Sequence, residues 1–117
     1  MNKLRCGIIG FDFGHQGAFA DCLARLEQVQ IVGVADLSDG SASARERGRQ
    51  FAQRWGAPYF DDYTALLEAQ ELDMVSLCLP PARNPDAVEQ MCAWGIHVMS
   101  EKPIAADGAG TQRIAQA

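Results

Sequence analysis

A short apolar run that ends in closely spaced glycines constrains the fold of this chain more than any other stretch. Residues 4–14 read LRCGIIGFDFG, with Gly10 and Gly14 at the end of the run and Gly17 just beyond it. The residues that follow have helical spacing, and we expect an inward-facing stripe of His15, Ala18, Phe19, Cys22, Leu23 and Leu26. A strand, a glycine turn and a helix are typical of the start of a dinucleotide-binding βαβ unit, although such a turn also occurs for packing reasons alone.

The glycine turn departs from the usual G-x-G-x-x-G pattern at one place. Counting from Gly10 puts Asp12 at the second glycine, and counting from Asp12 leaves Gly14 and Gly17 in place. Glycines let the backbone approach a pyrophosphate, and the helix N–H groups hold its negative charge. We expect Asp12 to cap the helix by accepting a hydrogen bond from the N–H of Gly14 or His15. The cofactor is then expected to bind weakly, or with its pyrophosphate displaced.

Length and composition restrict the class of protein. The chain has 117 residues, which predicts one domain over 1–117, and its net charge of −5 argues against nucleic acid or an anionic membrane as a partner. We expect a cytoplasmic protein, because no apolar run of about 18 residues and no signal-peptide pattern is found. The four cysteines show no C-x-x-C spacing, which favours reduced core cysteines and no metal site.

Strand and helix patterns alternate along the whole chain. Strands are predicted over 4–9, 31–35, 59–60, 74–79 and 97–100. Helices are predicted over 14–27 and 42–55, around Leu66 and Leu67, from 84 to Gly95, and from Asp107 onward. This alternation predicts an α/β fold, a three-layer αβα, doubly wound parallel sheet with strand order 3-2-1-4-5. Ligands bind such sheets at the carboxyl ends of the strands where the order reverses, here beside Gly10 and Pro80.

Several residues are expected to begin helices. The Ser- and Gly-rich segment LSDGSAS (37–43) is expected to cap the second helix, and Asp61 or Asp62 to cap the third. Asn84 is expected as the N-cap of the fourth helix, with Pro85 and Asp86 in its first turn.

Asp36 ends the second predicted strand at about the distance from the glycine turn where dinucleotide-binding folds place a ribose-binding acid. Its carboxylate could accept hydrogen bonds from both adenosine ribose hydroxyls. It would repel a 2′-phosphate, and Leu37 and Ser38 offer no arginine to replace that contact. The pattern therefore favours NAD over NADP. The alternative is a solvated aspartate at a strand end.

The segment GIHVMSEKP (95–103) is the most distinctive in the chain. A strand ends in Glu101-Lys102-Pro103 at the carboxyl edge of the predicted sheet. A lysine there could polarise a substrate hydroxyl or relay a proton. By spacing alone, Lys102 is also compatible with an ordinary surface lysine, and His15 and His97 with packing or surface roles.

The motifs GIIG, VGVAD, MVSLCLP and above all GIHVMSEKP together resemble the Gfo/Idh/MocA oxidoreductases. The resemblance covers essentially the whole chain. It implies the NAD(P)-binding, Rossmann-type N-terminal domain of a sugar or cyclitol dehydrogenase, with Lys102 as the active-site lysine and Asp36 as the ribose-binding acid. The expected cofactor-binding residues are Gly10, Phe11, Asp12, Gly14, His15, Asp36, Leu79, Pro80, Pro81 and Glu101.

The chain differs from the family pattern in three respects. Asp12 replaces a glycine, and the family's P-N-x-x-H reads PPARN over 80–84, so that its Asn and His are both replaced. The chain also stops where the family continues into a second α/β domain, which supplies substrate contacts and the catalytic histidine.

The leading hypothesis is therefore the cofactor-binding half of an NAD-dependent dehydrogenase, NADP being less expected, that acts on a polyol or sugar-like substrate. The alternatives are a non-catalytic nucleotide-binding module and a remnant that serves as an interaction domain. We expect the domain alone to be inactive. We also expect it to form a homo-oligomer, because the fifth strand leaves an apolar sheet edge unpaired.

Overall fold

A single parallel sheet forms the centre of the molecule. The computed structural model describes residues 2–12 and 15–117, and within these ranges there are five strands. They are β1 (Leu4–Ile9), β2 (Val29–Ala35), β3 (Tyr59–Phe60), β4 (Met74–Leu77) and β5 (His97–Ser100). Their order is β3-β2-β1-β4-β5 and every pairing is parallel, which confirms the predicted topology. The order reverses between β1 and β4, so ligand binding is expected at their carboxyl ends.

Helices cover both faces of the sheet. They are α1 (His15–Ala24), α2 (Ala42–Trp55), α3 (Tyr63–Ala69), α4 (Asn84–Ala93) and α5 (Gly108–Gln116). One core cluster packs α1 and α2 on one face around Ile8 and Phe51, and another packs α3, α4 and α5 on the opposite face around Ile9 and Met91. In the described ranges, no helix has both the length and the apolar character needed to cross a membrane.

The helix-capping predictions are largely confirmed. Ser41 accepts a hydrogen bond from the N–H of Ala44 at 3.2 Å, and Asp62 accepts one from Thr64 at 2.9 Å. Asp107 caps α5 by accepting from Gly110 at 2.7 Å. Each cap satisfies a backbone donor that the first helical turn leaves without a partner.

The inward stripe predicted for α1 is mostly wrong, although Leu23 packs against the core as expected. His15, Ala18 and Cys22 are exposed, as are Phe19 and Leu26 at 42% and 49%. The buried residues are Gln16 and Ala20. The polar side chain of Gln16 is accommodated because its Nε2 donates to the Ser76 carbonyl at 2.9 Å, and its Oε1 accepts from the Ser76 hydroxyl at 2.9 Å. The small side chain of Ala20 fits the close approach of α1 to the sheet.

The segment boundaries differ slightly from those predicted. The helix predicted over 14–27 ends at Ala24, β2 begins two residues before 31, and β4 ends at Leu77 rather than at 79. Asn84 is the first residue of α4 and not its N-cap, which is Arg83, and the side chain of Arg83 makes no capping hydrogen bond.

Candidate functional site

The turn after β1 lies directly against the end of β4. Gly10 has φ +86°, and a Cβ at this position would lie 2.2 Å from the carbonyl oxygen of Cys78. The N–H of Gly10 donates to the Ala35 carbonyl at 2.9 Å, which ties the turn to β2 as well. Only glycine fits there, because the positive φ and the neighbouring backbone both exclude a side chain. Gly14, the other predicted turn glycine, lies outside the described residues.

Asp36 is brought beside this turn but is not solvated. It is 3% exposed, the Tyr59 hydroxyl donates to its Oδ2 at 3.1 Å, and the N–H of Phe11 donates to its carboxylate. A Cβ on Gly48 of α2 would lie 2.4 Å from the same Oδ2. The carboxylate therefore packs against helix backbone, which rules out a solvated aspartate at a strand end.

The environment of Asp36 disfavours its charged form. Burial is the main cause, and together with the nearby charge of Asp12 it raises the pKa of Asp36 to about 6. The hydrogen bonds from Tyr59 and Phe11 and the charge of Arg45 act in the opposite direction. A raised acid pKa beside a glycine turn is the kind of perturbation that functional sites concentrate.

Asp12 adds a second carboxylate to the turn. Its Oδ2 is buried and accepts no hydrogen bond from the described residues, and burial raises the pKa of Asp12 while the charge of Arg47 lowers it. Of the two donors predicted for the cap, Gly14 lies outside the described ranges, and the N–H of His15 does not bond the buried Oδ2 of Asp12. Arg47 donates from both Nε and Nη2 to the Phe11 carbonyl, which holds the turn against α2.

Phe11 and Leu79 are buried in the core, so the side chains of these two predicted cofactor-binding residues face inward. The ring of Phe11 packs on Phe51 with 5.7 Å between centroids. Pro80 and Pro81 are half-buried at the end of β4. Phe11 and Leu79 can therefore offer only backbone groups to a ligand, whereas Pro80 and Pro81 can also offer ring surface.

An ion pair that the sequence analysis missed joins the loops after β2 and β4. Arg83 Nη1 lies 3.1 Å from both carboxylate oxygens of Asp39. The two residues are 44 positions apart, and no local pattern in the sequence indicates the pair. The pair therefore ties the loop after β2 to the loop after β4. The arginine whose charge acts on Asp36 is a different one, Arg45 of α2.

Lys102 lies at the carboxyl end of β5, beside a pocket of about 300 Å³ on the α1 side of the sheet. The pocket is lined by Gln16, Phe19, Ser76, Met99, Ser100, Glu101 and Lys102. The N–H of Glu101 donates to the Leu77 carbonyl at 2.9 Å, which extends the β4–β5 pairing by one residue. Lys102 itself is exposed. His15 and His97 are also exposed, and the ring of His15 lies 6.2 Å from that of Phe19.

Cys6 and Cys78 are buried and Cys92 is half-buried, whereas Cys22 is exposed, contrary to the expectation of a core position. No cluster of metal-ligating side chains occurs among residues 2–12 and 15–117.

Residues 4–117 match the profile of the Gfo/Idh/MocA family, described as an oxidoreductase family with an NAD-binding Rossmann fold. The chain belongs to this family. The resemblance found in its motifs and the Rossmann-type fold predicted from them are thereby confirmed.

Characterised members share modest identity with this Gfo/Idh/MocA chain. It is 30% identical over 114 residues to dTDP-3,4-didehydro-2,6-dideoxy-alpha-D-glucose 3-reductase of Actinomadura kijaniata, covering 97% of this chain and 32% of that protein. It is 30% identical over 116 residues to inositol 2-dehydrogenase of Streptomyces avermitilis, covering 95% of this chain and 32% of that protein. The chain spans about a third of the length of these relatives.

Solved structures have the same fold. GenD2 from gentamicin A biosynthesis, in complex with NAD, superposes with a TM-score of 0.82 at 22% identity, covering 99% of this chain and 31% of that one. KijD10, a 3-ketoreductase from Actinomadura kijaniata in complex with NADP and TDP-benzene, superposes with a TM-score of 0.78 at 24% identity, covering 98% of this chain and 34% of that one. One neighbour is complexed with NAD and the other with NADP, so these structures do not decide between the two cofactors.

Proposed function

We propose that residues 1–117 form the NAD-binding domain of an oxidoreductase that transfers a hydride between nicotinamide and a secondary alcohol of a sugar, cyclitol or related polyol. The single observation that carries the proposal is the packing of the Gly10 turn beside the buried carboxylate of Asp36, at the point where the strand order reverses. Membership of an oxidoreductase family supports the reaction class. We also propose that the protein is cytoplasmic. Most of the residues that contact the substrate are proposed to lie outside this domain.

The residues around the turn fit most, but not all, of a dinucleotide. Gly10 keeps the turn after β1 close to the end of β4, and the ribose hydroxyls would reach the Asp36 carboxylate, which is 3% exposed, by replacing its hydrogen bond from the Tyr59 hydroxyl. Asp12 fits poorly, because a buried carboxylate repels the pyrophosphate at the start of α1. We therefore expect the pyrophosphate to be held weakly.

Two groups serve the reacting half of the site. Pro80 provides one wall of the nicotinamide pocket, and Lys102 holds or moves a proton at the substrate hydroxyl. The cofactor supplies the hydride chemistry when it is bound. Lys102 is exposed beside the pocket on the α1 side, which leaves its ammonium accessible to a substrate presented from outside the domain.

Calorimetric titration of the 117-residue chain with NAD and with NADP tests the proposal. We expect NAD to bind more tightly, because the Asp36 carboxylate repels a 2′-phosphate and Arg45, whose charge acts on Asp36, is already paired with Asp61 at 2.8 Å. Asp61→Asn should release Arg45 and narrow the preference for NAD over NADP. Binding of neither cofactor would contradict the proposal and favour an interaction module that has lost cofactor binding.

Replacing Asp12 by glycine should tighten NAD binding. The substitution removes a buried charge beside the pyrophosphate, and an effect of about tenfold in Kd corresponds to the roughly 1.4 kcal/mol of a modest like-charge interaction. The fold should become slightly less stable, because glycine adds backbone entropy to the unfolded chain. The comparison is a calorimetric titration of both proteins, with the exposed Glu68→Gln as a control for altered net charge. Equal affinity of Asp12→Gly and the parent would show that Asp12 does not oppose the phosphate.

We propose that the isolated domain self-associates and has no dehydrogenase turnover. In the described sheet β5 pairs with β4 alone, so its other edge exposes backbone donors and acceptors, and Phe19 and Met99 are exposed on the adjoining surface. Sedimentation equilibrium should detect a dimer at high micromolar concentration. A strict monomer would contradict the first part, and NADH production from any polyol by this chain would contradict the second.

A further inference from the structure

Asn84 is a buried polar residue whose contacts lie outside its own helix. It is 1% exposed at the first position of α4, yet it does not cap that helix. Instead, its Nδ2 donates to the Ser100 hydroxyl at 2.8 Å and to the Ile104 carbonyl at 2.9 Å. Residues 101–103 between these two partners are Glu101-Lys102-Pro103, so one amide nitrogen ties both ends of the segment that carries the lysine.

The segment has little other support. Among the described residues, the hydrogen bond from Asn84 to Ile104 is the only one that reaches residues 102–106 from outside them. The pairing with β4 ends one residue earlier, at the N–H of Glu101. The backbone of Lys102 is therefore held between two bonds, that of Glu101 to the sheet and that of Ile104 to Asn84.

Stability alone does not explain an asparagine at this position. Its Oδ1 is buried and accepts no hydrogen bond from the described residues, which is unfavourable for folding. The backbone next to Asn84 is held in place by close packing of Pro85 against the start of α5. A Cβ on Gly110 of α5 would lie 3.1 Å from Pro85 Cγ.

We propose that Asn84 is a positioning residue, which sets the place of Lys102 over the cofactor by fastening Ser100 and Ile104 to the first turn of α4. This inference rests on the proposed function of Lys102. Asn84 acts through the loop, so its loss should displace the lysine without removing the contacts that Gly10 and Asp36 make with the adenosine half.

The chain offers an internal reference for the test, because Lys3 and Lys102 are its only lysines. Reductive dimethylation with ¹³C-formaldehyde gives each lysine an NMR signal. In the parent, saturating NAD should shift the Lys102 signal and leave that of Lys3 unchanged. Asn84→Ala, and Asn84→Asp, which keeps the size but cannot donate, should lose at least half of the Lys102 shift while Kd for NAD changes less than threefold. Ser100→Ala, which removes one of the two bonds, should give an intermediate loss.

Thr64→Ala is the matched control, since it also removes a side-chain hydrogen bond, of 2.6 Å to Asp62, but on α3. It should leave the Lys102 shift intact. An undiminished shift in both Asn84 variants would overturn the proposal.

Amide hydrogen exchange of the free protein separates this proposal from the proposed function. Exchange at the amide of Glu101, which is protected by its hydrogen bond to the Leu77 carbonyl, should quicken at least tenfold in the Asn84 variants and not in Thr64→Ala. If NAD failed to bind the parent, the proposed function would fail, and unchanged exchange at Glu101 would independently refute the fastening by Asn84.

Discussion

Replacing Gly10 by alanine is expected to lower the free energy of unfolding by about 4 kcal/mol, near the upper end for a single substitution. Two costs add. Alanine is strained at φ +86°, by roughly 1–2 kcal/mol. Its Cβ would also lie 2.2 Å from the Cys78 carbonyl oxygen. This backbone atom cannot move without disturbing the end of β4, because the N–H of Cys78, the residue after β4, donates to the Ile9 carbonyl at 2.8 Å.

Urea unfolding followed by circular dichroism measures this effect, and Gly17→Ala is the matched control. A Cβ on Gly17 meets nothing within 4 Å, and the residue lies inside α1, so alanine there should stabilise the chain by up to about 1 kcal/mol. If both variants unfolded at the same urea concentration as the parent, the inference that the Gly10 turn packs too closely on β4 to admit a side chain would be contradicted. NAD binding should be lost in Gly10→Ala even under conditions where it remains folded.

Asp36→Asn is expected to stabilise the fold at pH 7.5 and to weaken NAD binding at least tenfold. Burial raises the pKa of Asp36 from an ordinary 3.8 to about 6, so ionising this group at pH 7.5 costs the folded state about 3 kcal/mol. The folded protein binds the proton more tightly than the unfolded chain. Stability from this group is therefore present below pH 3.8 and is lost as the pH rises through about 6.

The measurement is the unfolding free energy of parent and variant between pH 4 and pH 8. The unfolding free energy of Asp36→Asn should exceed that of the parent by an amount that grows up to about pH 6.5 and then stays constant. Glu68→Gln, which neutralises an exposed carboxylate on α3, should show no such rise. If Asp36→Asn were less stable than the parent at pH 7.5, burial of the ionised Asp36 carboxylate would not be destabilising the parent. Such a gain in stability at the expense of binding is typical of functional residues.

The sequence predicted the features that depend on neighbouring residues. The buried strands, the glycine after β1 and the caps Ser41, Asp62 and Asp107 are all local patterns, and the structure contains them. The strand order followed as well, since short crossovers between parallel strands leave few topologies.

Features that depend on distant contacts could not be predicted. The apolar stripe of α1 was assigned to the core because Phe19 looks more suitable for burial than Gln16, yet Gln16 finds its partner in Ser76, 60 residues away. The environment of Asp36 likewise depends on Tyr59, 23 residues away in sequence.

Asn84 was predicted as a cap because asparagine before proline commonly begins a helix. Its actual partners, Ser100 and Ile104, are 16 and 20 residues further along the chain. In each of these cases a polar side chain is buried by elements that the sequence does not show to be adjacent.

Chemical-shift mapping of the ¹⁵N-labelled 117-residue chain with NAD shows directly where this ligand binds. We expect the largest amide shifts at the carboxyl edge of the sheet, at Gly10, Phe11 and Asp36, and we expect Asp36→Asn to reduce them at equal NAD concentration. Shifts confined to other parts of the chain, or none at millimolar NAD, would contradict the proposed NAD-binding site.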